Sequence, residues 1–453
     1  MTTTLTAETA DVAPGPPCAA CGSALTGDER FVVWCRSCGW NAHPNATTAK
    51  GRGDRFQRKL NRAAEERLYQ HVTQHGTARP SLDAARIAAY ALSAVVHLVT
   101  VALICGGVAM VLVPHILVRL LGVFLLLLAW TMRPRLGPSR KTLRRRRVLA
   151  PDAAPALHAL CARIAAELGT APPHEIVVHS GYNASYSRIG LRRRVVLTLG
   201  LSLWETVTPA EQLAILGHEL GHGANGDSRR GLWISVALDS LEEWYHMFRP
   251  GVAMQRRHEM TRRTGRGVRS STGGLAWLGE MFAVAVMAVL AETTLLLYRL
   301  LSRLTTLSGR RAEYRADELA ARIAGPEATA GLMQALPLGS SARFVRQQRA
   351  LSNRAAPRNQ RGQLLDRTRQ TDFWTDLREY VGSIPESERA RRILVSQLDD
   401  SAVDATHPPT HLRLSHVRQL PPAEPLIVLS ADEWAAIDAE LAPARAAIAR
   451  DLT

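Results

Sequence analysis

Thr208-Pro209-Ala210-Glu211-Gln212-Leu213-Ala214-Ile215-Leu216-Gly217-His218-Glu219-Leu220-Gly221-His222 is the stretch around which the rest of the chain has to be arranged. Thr208, Pro209 and Glu211 spell a capping box with proline at the first helical position, so a helix starts here. Leu213, Ile215, Leu216 and Leu220 give that helix apolar surface to bury, and Asn225-Gly226 supplies a stop signal. The helix is then roughly four turns long. His218 and His222 stand four apart on one face, one turn from each other, so both imidazoles can reach a single metal ion. Glu219 projects beside them, where it can take a proton from water that the ion polarises.

The pattern H-E-x-x-H on a helix is the arrangement of a zinc peptidase, and it leaves one requirement open. Zinc in a hydrolase needs three protein ligands and a fourth position for water. A further histidine in the pattern H-x-x-G-x-x-H is excluded, because Asn225 and Ser228 stand three and six residues after His222. The other common source is a carboxylate on a later helix. Arg311-Ala312-Glu313-Tyr314-Arg315-Ala316-Asp317 fits, with Glu313 and Asp317 four apart on one face. Glu313 can bind the zinc while Asp317 accepts a hydrogen bond from the far nitrogen of a ligand histidine, which fixes its tautomer and orientation. An ion pair of Asp317 with Arg311 or Arg315 is the plainer alternative.

Taken in order, His218 to His222, Glu313 to Asp317, and Thr406-His407-Pro408-Pro409-Thr410 with Arg413 resemble the HtpX-like and CaaX-prenyl-protease-like membrane zinc metallopeptidases. The stretch Ile176 to Leu201, with Asn183-Ala184 in a strand region before the zinc helix, is similar to that family too. The resemblance covers roughly residues 150–230 and 308–420. It implies a zincin-like domain with His218, His222 and Glu313 as ligands and Glu219 as catalytic base. It also implies that Asn183 and Ala184 touch substrate. His407 and Arg413 would lie near the site, either polarising the substrate carbonyl or steadying the fold. His407, in front of two prolines, also reads as a simple turn residue.

Ile87 to Val113 is nearly free of charge and, at 27 residues, long enough to span a bilayer with tilt. After Pro114-His115, a second apolar run of 17 residues extends from Ile116 to Met132, with Arg119 near its outer end. Two adjacent runs this apolar predict a transmembrane hairpin rather than a buried soluble one. Arg52, Arg55, Arg58, Lys59, Arg62, Arg67, Arg79 and Arg86 precede it; Arg133, Arg135, Arg140, Lys141 and Arg144 to Arg147 follow it. The positive-inside rule therefore predicts a multi-pass protein of the cell membrane with its N-terminus and catalytic domain cytoplasmic. These clusters supply much of the net charge of +16, which an anionic leaflet explains more simply than nucleic acid does.

A third apolar stretch, Leu275 to Tyr298, contains Glu280 and Glu292 and raises a parity problem. The zinc helix precedes it and Glu313 follows it, so a single crossing would separate residues that must meet. Residues 231–248 would be the compensating span, but they carry Asp239, Glu242 and Glu243, which are unfavourable in hydrocarbon. The pairing would also put Arg256, Arg257, Arg262, Arg263, Arg266 and Arg269 outside. These features favour a helix packed on the catalytic domain or dipping into the inner leaflet. Four spans remain the alternative.

Cys18-x-x-Cys21 and Cys35-x-x-Cys38, separated by thirteen residues, each precede a glycine that suits a tight knuckle. Four thiolates in two knuckles predict a structural zinc in a ribbon; two disulfides or a redox pair are the alternatives, and a cytoplasmic location opposes disulfides. A ribbon this small needs its metal to fold.

The expected fold class is α+β and mostly helical, with a small edge-strand sheet in the peptidase. Residues 1–17 read as a disordered tail, 18–43 as the ribbon and 44–86 as a basic linker with a helix near Phe56 to His75. Residues 87–132 form the hairpin, 150–425 the metallopeptidase domain with a membrane-associated insertion at 231–307, and 426–453 a C-terminal helix. A helix over Ala154–Leu168 and strands over Ile176–His179, Ala184–Ile189 and Val195–Leu199 are predicted. Substrate would add as a further strand at the edge. Residues 255–274 read as a loop near the cleft, and 343–400 carry only weak helical patterns.

The expected function is a membrane-anchored zinc metalloendopeptidase. It would act on cytoplasmic parts of membrane or misfolded proteins, as in quality control, with one catalytic and one structural Zn2+. Its partners would be a protein or peptide substrate, the lipid bilayer and an unidentified partner at the ribbon. The rivals are a catalytically idle membrane scaffold and a nucleic-acid-binding module built on the ribbon. Intact His218, Glu219, His222 and Glu313 oppose the first. Sparse aromatics, limited to Phe31, Trp34 and Trp40, oppose the second.

Overall fold

A computed structural model describes residues 16–25, 28–44, 52–77, 84–133, 147–189, 194–224, 227–249, 274–355, 372–398 and 407–452. The tail over 1–15, the Asn225-Gly226 stop, the turn at 190–193, the basic residues 134–146, Thr406 and the loop over 255–273 lie outside these residues.

The domain after the apolar hairpin begins with a short strand that the sequence reading passed over, β1 (Arg147–Leu149), followed by a helix, α4 (Pro155–Leu168), and strands β2 (Glu175–His179), β3 (Ala184–Ile189) and β4 (Arg194–Gly200). The sheet order is β1-β2-β4-β3, with β2 parallel to β4 and both outer strands antiparallel to their neighbours. Alternation divides the strands between two faces. Ile176, Val178, Leu197 and Leu199 face the main core with Leu157, Leu160 and Ile164 of α4, while Val177, Val196 and Ile189 form a small cluster on the other side. Gly200 is where β4 turns: a Cβ there would lie 2.4 Å from the Gly181 carbonyl and 2.5 Å from that of Asn183. The chain passes through α5 (Leu201–Trp204) directly into α6 (Pro209–Ala224), the helix of the opening stretch. Its capping box forms as expected: Thr208 N donates to Glu211 at 2.8 Å and Glu211 N to the Thr208 hydroxyl at 3.3 Å.

Four helices form a separate apolar assembly: α2 (Ala84–Leu112), α3 (Ile116–Thr131), α7 (Asp227–Phe248) and the first part of α8 (Gly274–Ala324). The α2–α3 crossing is tight at Gly107 and Gly122, where a Cβ on either would approach the other's carbonyl to 3.0 or 2.8 Å. Met132, Ala237, Leu241, Trp244 and Leu301 are buried between the pairs, and Trp244 Nε1 donates to Met132 O at 3.1 Å. Leu98, Leu117, Phe124, Leu127 and Phe282 point outward. Residues Ala85–Leu112 and Met281–Ala324 are helical, long and apolar enough to cross a membrane, and α3 is a shorter apolar helix.

The third apolar stretch is therefore not a helix laid on the catalytic domain. It is the first part of a single 51-residue helix that packs on α2 and α7 and ends beside α6. α7 leads away from α6 and α8 returns to it, so the two form a pair. The apolar residues of α7 face the other helices, while Asp239 and Glu242 lie exposed on its outer side.

Helix α8 meets α6 where α6 is thinnest. A Cβ on Gly217 would lie 3.1 Å from Ala320 Cα, and one on Gly221 3.3 Å from Ala316 Cα. The remaining helices are α9 (Pro326–Ala335), α10 (Gly339–Ala355), α11 (Phe373–Gly382), α12 (Glu386–Leu398), α13 (Thr410–Arg418) and α14 (Ala431–Leu452). The polar 343–400 region contributes Phe373, Trp374, Leu377 and Val381 to the main core, more than its weak pattern suggested. The tail helix buries Ile437, Leu441, Ala444 and Ile448 as its period demands. The linker helix α1 (Arg52–His75) straps onto α13: Tyr69 OH lies 2.8 Å from both Ser415 Oγ and Gln419 Nε2.

Candidate active site

Helices α6, α8 and α13 bring the site together. His218 and His222 project from consecutive turns of α6, and Glu313 faces them from α8. Their ligand atoms all lie within 4.8 Å of one another. The two Nε2 atoms are 3.2 Å apart, and each is 3.5 Å from an oxygen of Glu313. His218 Nδ1 is 2.9 Å from Asp317 Oδ1. With Nδ1–H donating to that carboxylate, Nε2 of His218, which faces His222, is the atom left to a metal ion that displaces its proton. Two imidazoles and a carboxylate converging this way satisfy one another poorly and a cation well. Zn–N bonds of 2.0–2.1 Å in a tetrahedron set the nitrogens about 3.3–3.4 Å apart, close to the observed separation. The donor set thus fits zinc, with Glu219 buried next in sequence to His218.

Arg413 is the buried counter-charge behind the site. Its Nε and Nη2 donate to Asp317 at 2.9 and 2.7 Å, and Nη2 is 3.7 Å from Glu313. Both side chains are almost wholly inaccessible, at 4 and 0 % exposure, and the guanidinium is spent on Asp317, an arrangement that suits steadying the fold. Asp317 pairs with Arg413 and His218 rather than with Arg311 or Arg315. His407 comes to Glu313, Nδ1 to Oε2 2.5 Å, with its side chain partly exposed.

Burial and charge oppose each other throughout. Burial raises the Asp317 carboxyl, but Arg413 and His218 outweigh it and hold it at about 2. Burial also raises Glu313, and His222, His218, His407 and Arg413 hold it well below the usual range. Burial lowers both histidines. It prevails for His222, whereas hydrogen bonds to Asp317 and Glu313 carry His218 up to about 10. The same negative field attracts a divalent cation.

Asn183 and Ala184 stand at the head of β3, where the Asn183 carbonyl accepts from Gly200 N at 2.8 Å and Ala184 pairs with Leu199. β3 is an edge strand, and no strand among the described residues pairs with its outer side. It runs beside α6: a Cβ on Gly223 would meet the Tyr186 hydroxyl at 2.9 Å.

The four cysteines form a second cluster, with Cys18 Sγ 3.7 Å from Cys38 Sγ and Cys21 Sγ 3.5 Å from Cys35 Sγ. A tetrahedral zinc–thiolate site with bonds near 2.3 Å has S···S edges of about 3.8 Å. Gly22 and Gly39 take φ +74° and +73°, each closing a knuckle by donating to the carbonyl of Cys18 or Cys35 at 2.8 Å. None of the four is in a disulfide. A partly buried pair that sequence reasoning missed, His416 with Glu318 at 3.1 Å, lies three residues after Arg413 on α13 and one after Asp317 on α8. Neither residue falls in a recognisable spacing.

Peptidase family M48 matches residues 151–420, which contain every residue of the histidine–glutamate cluster. The chain belongs to that family. Among curated relatives it is 27% identical over 176 residues to Protease HtpX of Pseudomonas fluorescens, covering 38% of this chain and 53% of that protein. With Protease HtpX of Pseudomonas putida it shares 29% over 164 residues, covering 36% and 49%; with that of Stutzerimonas stutzeri, 26% over 178 residues, covering 38% and 54%. The chain spans about half the length of the curated relatives it matches. No solved structure matches it.

Proposed function

We propose that this M48 protein is a membrane-embedded, zinc-dependent endopeptidase that hydrolyses cytoplasmic segments of membrane or misfolded proteins. The observation that carries the reading is the convergence of His218, His222 and Glu313 within 4.8 Å, with Asp317 behind His218 and Glu219 beside it. His218, His222 and Glu313 would hold the metal, which when bound supplies a Lewis acid for water and the scissile carbonyl. Glu219 accepts the proton of the attacking water and returns it to the leaving amine. The free edge of β3, from Asn183 and Ala184 onward, hydrogen-bonds the substrate as an added strand and fixes its register. Asp317 holds the His218 ring, Arg413 holds Asp317, and His407 steadies the exposed side of Glu313.

Chelation is expected to abolish cleavage of an unfolded protein by the detergent-solubilised chain, and added zinc to restore it. The wild type should retain about two zinc ions, one per donor cluster, and Cys35→Ser about one. Cleavage unaffected by thorough chelation sinks the reading; two ions in Cys35→Ser sinks the structural zinc.

The same proposal has α2, α3, α7 and the first part of α8 crossing the bilayer. An even number of crossings keeps α6 and the end of α8 on one side. The basic flanks of α2 and α3 outnumber the arginines between α7 and α8, so that side is cytoplasmic. Arg262→Cys should then react with a membrane-impermeant thiol reagent on intact cells, and protection from it would reverse or reduce the crossings.

A further inference from the structure

The cysteine lobe does not hang free of the peptidase. Arg30 Nη2 donates to Ser383 O at 2.9 Å, and Arg391 Nη1 to Ala42 O at 2.6 Å. Between the two lies a cavity of about 610 Å³, walled on the lobe side by Val32 and His43 and on the peptidase side by Arg343, Arg391 and Arg392. That volume is within the range of pockets that enclose ligands. Its lining contains no carboxylate. Arg391 and Arg392 share the buried carboxylate of Glu388 at 2.6 and 2.8 Å, so the trio keeps one positive charge. Arg343 is exposed, meets no acidic side chain among the described residues, and adds a second.

The position of the cavity is as telling as its charge. Its lining includes Tyr182, the residue before Asn183 and the head of β3, and Thr410, three residues after His407. The cavity is therefore walled by residues next to the head of β3 and to His407, which touches Glu313. A peptide paired with β3 and extended past Asn183 would come to Tyr182, which lines the cavity.

We propose that this cavity is a substrate subsite for acidic side chains beyond the residues paired with β3, and that the cysteine lobe is its outer wall. The inference rests on the peptidase reading above. Arg391 and Arg392 spend their guanidinium nitrogens on Glu388, Ala42 O, Pro337 O, Ser340 and Ser341, so Arg343 is the group that offers glutamate or aspartate the planar, two-pronged geometry of a guanidinium, and the other two add only their charge. Single-stranded nucleic acid fits less well, because it needs exposed aromatic platforms. The lining holds no Phe or Trp, and its tyrosine, Tyr182, is committed through its hydroxyl to Ala335 O at 3.0 Å.

The test is binding of short fluorescent peptides to the full-length, detergent-solubilised Glu219→Gln chain, where no turnover interferes. One peptide carries a run of glutamates at either end, and its counterpart has glutamines instead. The glutamate peptide should bind about tenfold tighter. Arg343→Glu on the peptidase and Val32→Glu on the lobe should each bring that ratio close to one. Equal binding of the two peptides, or a ratio indifferent to both substitutions, overturns the proposal. A uridine-rich RNA oligonucleotide that binds more tightly and loses affinity in Arg343→Glu overturns it in favour of nucleic acid. Charge-selective binding that depends on Arg343 in a chain whose wild type cleaves neither peptide supports the subsite and faults the peptidase reading alone.

Discussion

Glu219→Gln is expected to lower kcat by about 10²–10⁴-fold, the usual contribution of a positioned general base, while the chain keeps its catalytic zinc. The amide has nearly the shape of the carboxylate but cannot accept the proton of the attacking water. Glu219 contributes no atom to the cluster formed by His218, His222 and Glu313, so the ligand set survives the change. His218→Ala and Glu313→Ala act differently. Each removes one of three ligands and should strip the catalytic metal as well as the activity. Zinc content and turnover measured on the same preparations separate the two effects. A Glu219→Gln chain that cleaves at the wild-type rate removes Glu219 from the mechanism. One that loses its zinc makes Glu219 a structural residue.

How much of this was legible beforehand depends on whether the signal was local. The zinc helix is written in its own capping box, apolar period and histidine spacing, and it forms over Pro209–Ala224 as expected. The strands and the C-terminal helix were equally readable, since alternation and the helical period are properties of short windows. The third apolar stretch was not. Acidic residues in it and in 231–248 weighed against a crossing and favoured a helix laid on the catalytic domain, whereas α7 and α8 pack together and α8 continues unbroken to the site. The 343–400 region was unreadable for a related reason. Phe373 and Trp374 are two buried aromatics in a polar, Arg-rich context, so their burial depends on what the rest of the fold brings over them. Within the site, Asp317 was legible because it lies one helical turn from Glu313. Arg413 came only through the family resemblance, because nothing in the sequence alone ties it to a carboxylate 96 residues away.

Arg413→Ala is expected to destabilise the peptidase by about 3–5 kcal/mol, the usual result of breaking a buried ion pair from one side. The reason is what remains. Asp317 has no solvent exposure, and with Arg413 gone it keeps only His218 to offset its charge. Denaturant unfolding should be followed in the presence of chelator, so that lost metal affinity does not add to the difference. Removing both charges together, as in Asp317→Leu with Arg413→Met, should recover most of that stability, because apolar side chains of similar volume replace buried ion pairs at little net loss. It should not recover the metal site. Without Asp317 the His218 ring loses the acceptor that fixes its tautomer, and zinc affinity should fall about 10–100-fold. Stability and zinc affinity would then move apart in the double variant, which neither a purely structural nor a purely catalytic role for this pair produces. If the double variant binds zinc as tightly as the wild type, Asp317 does not orient His218, and the pair serves folding alone.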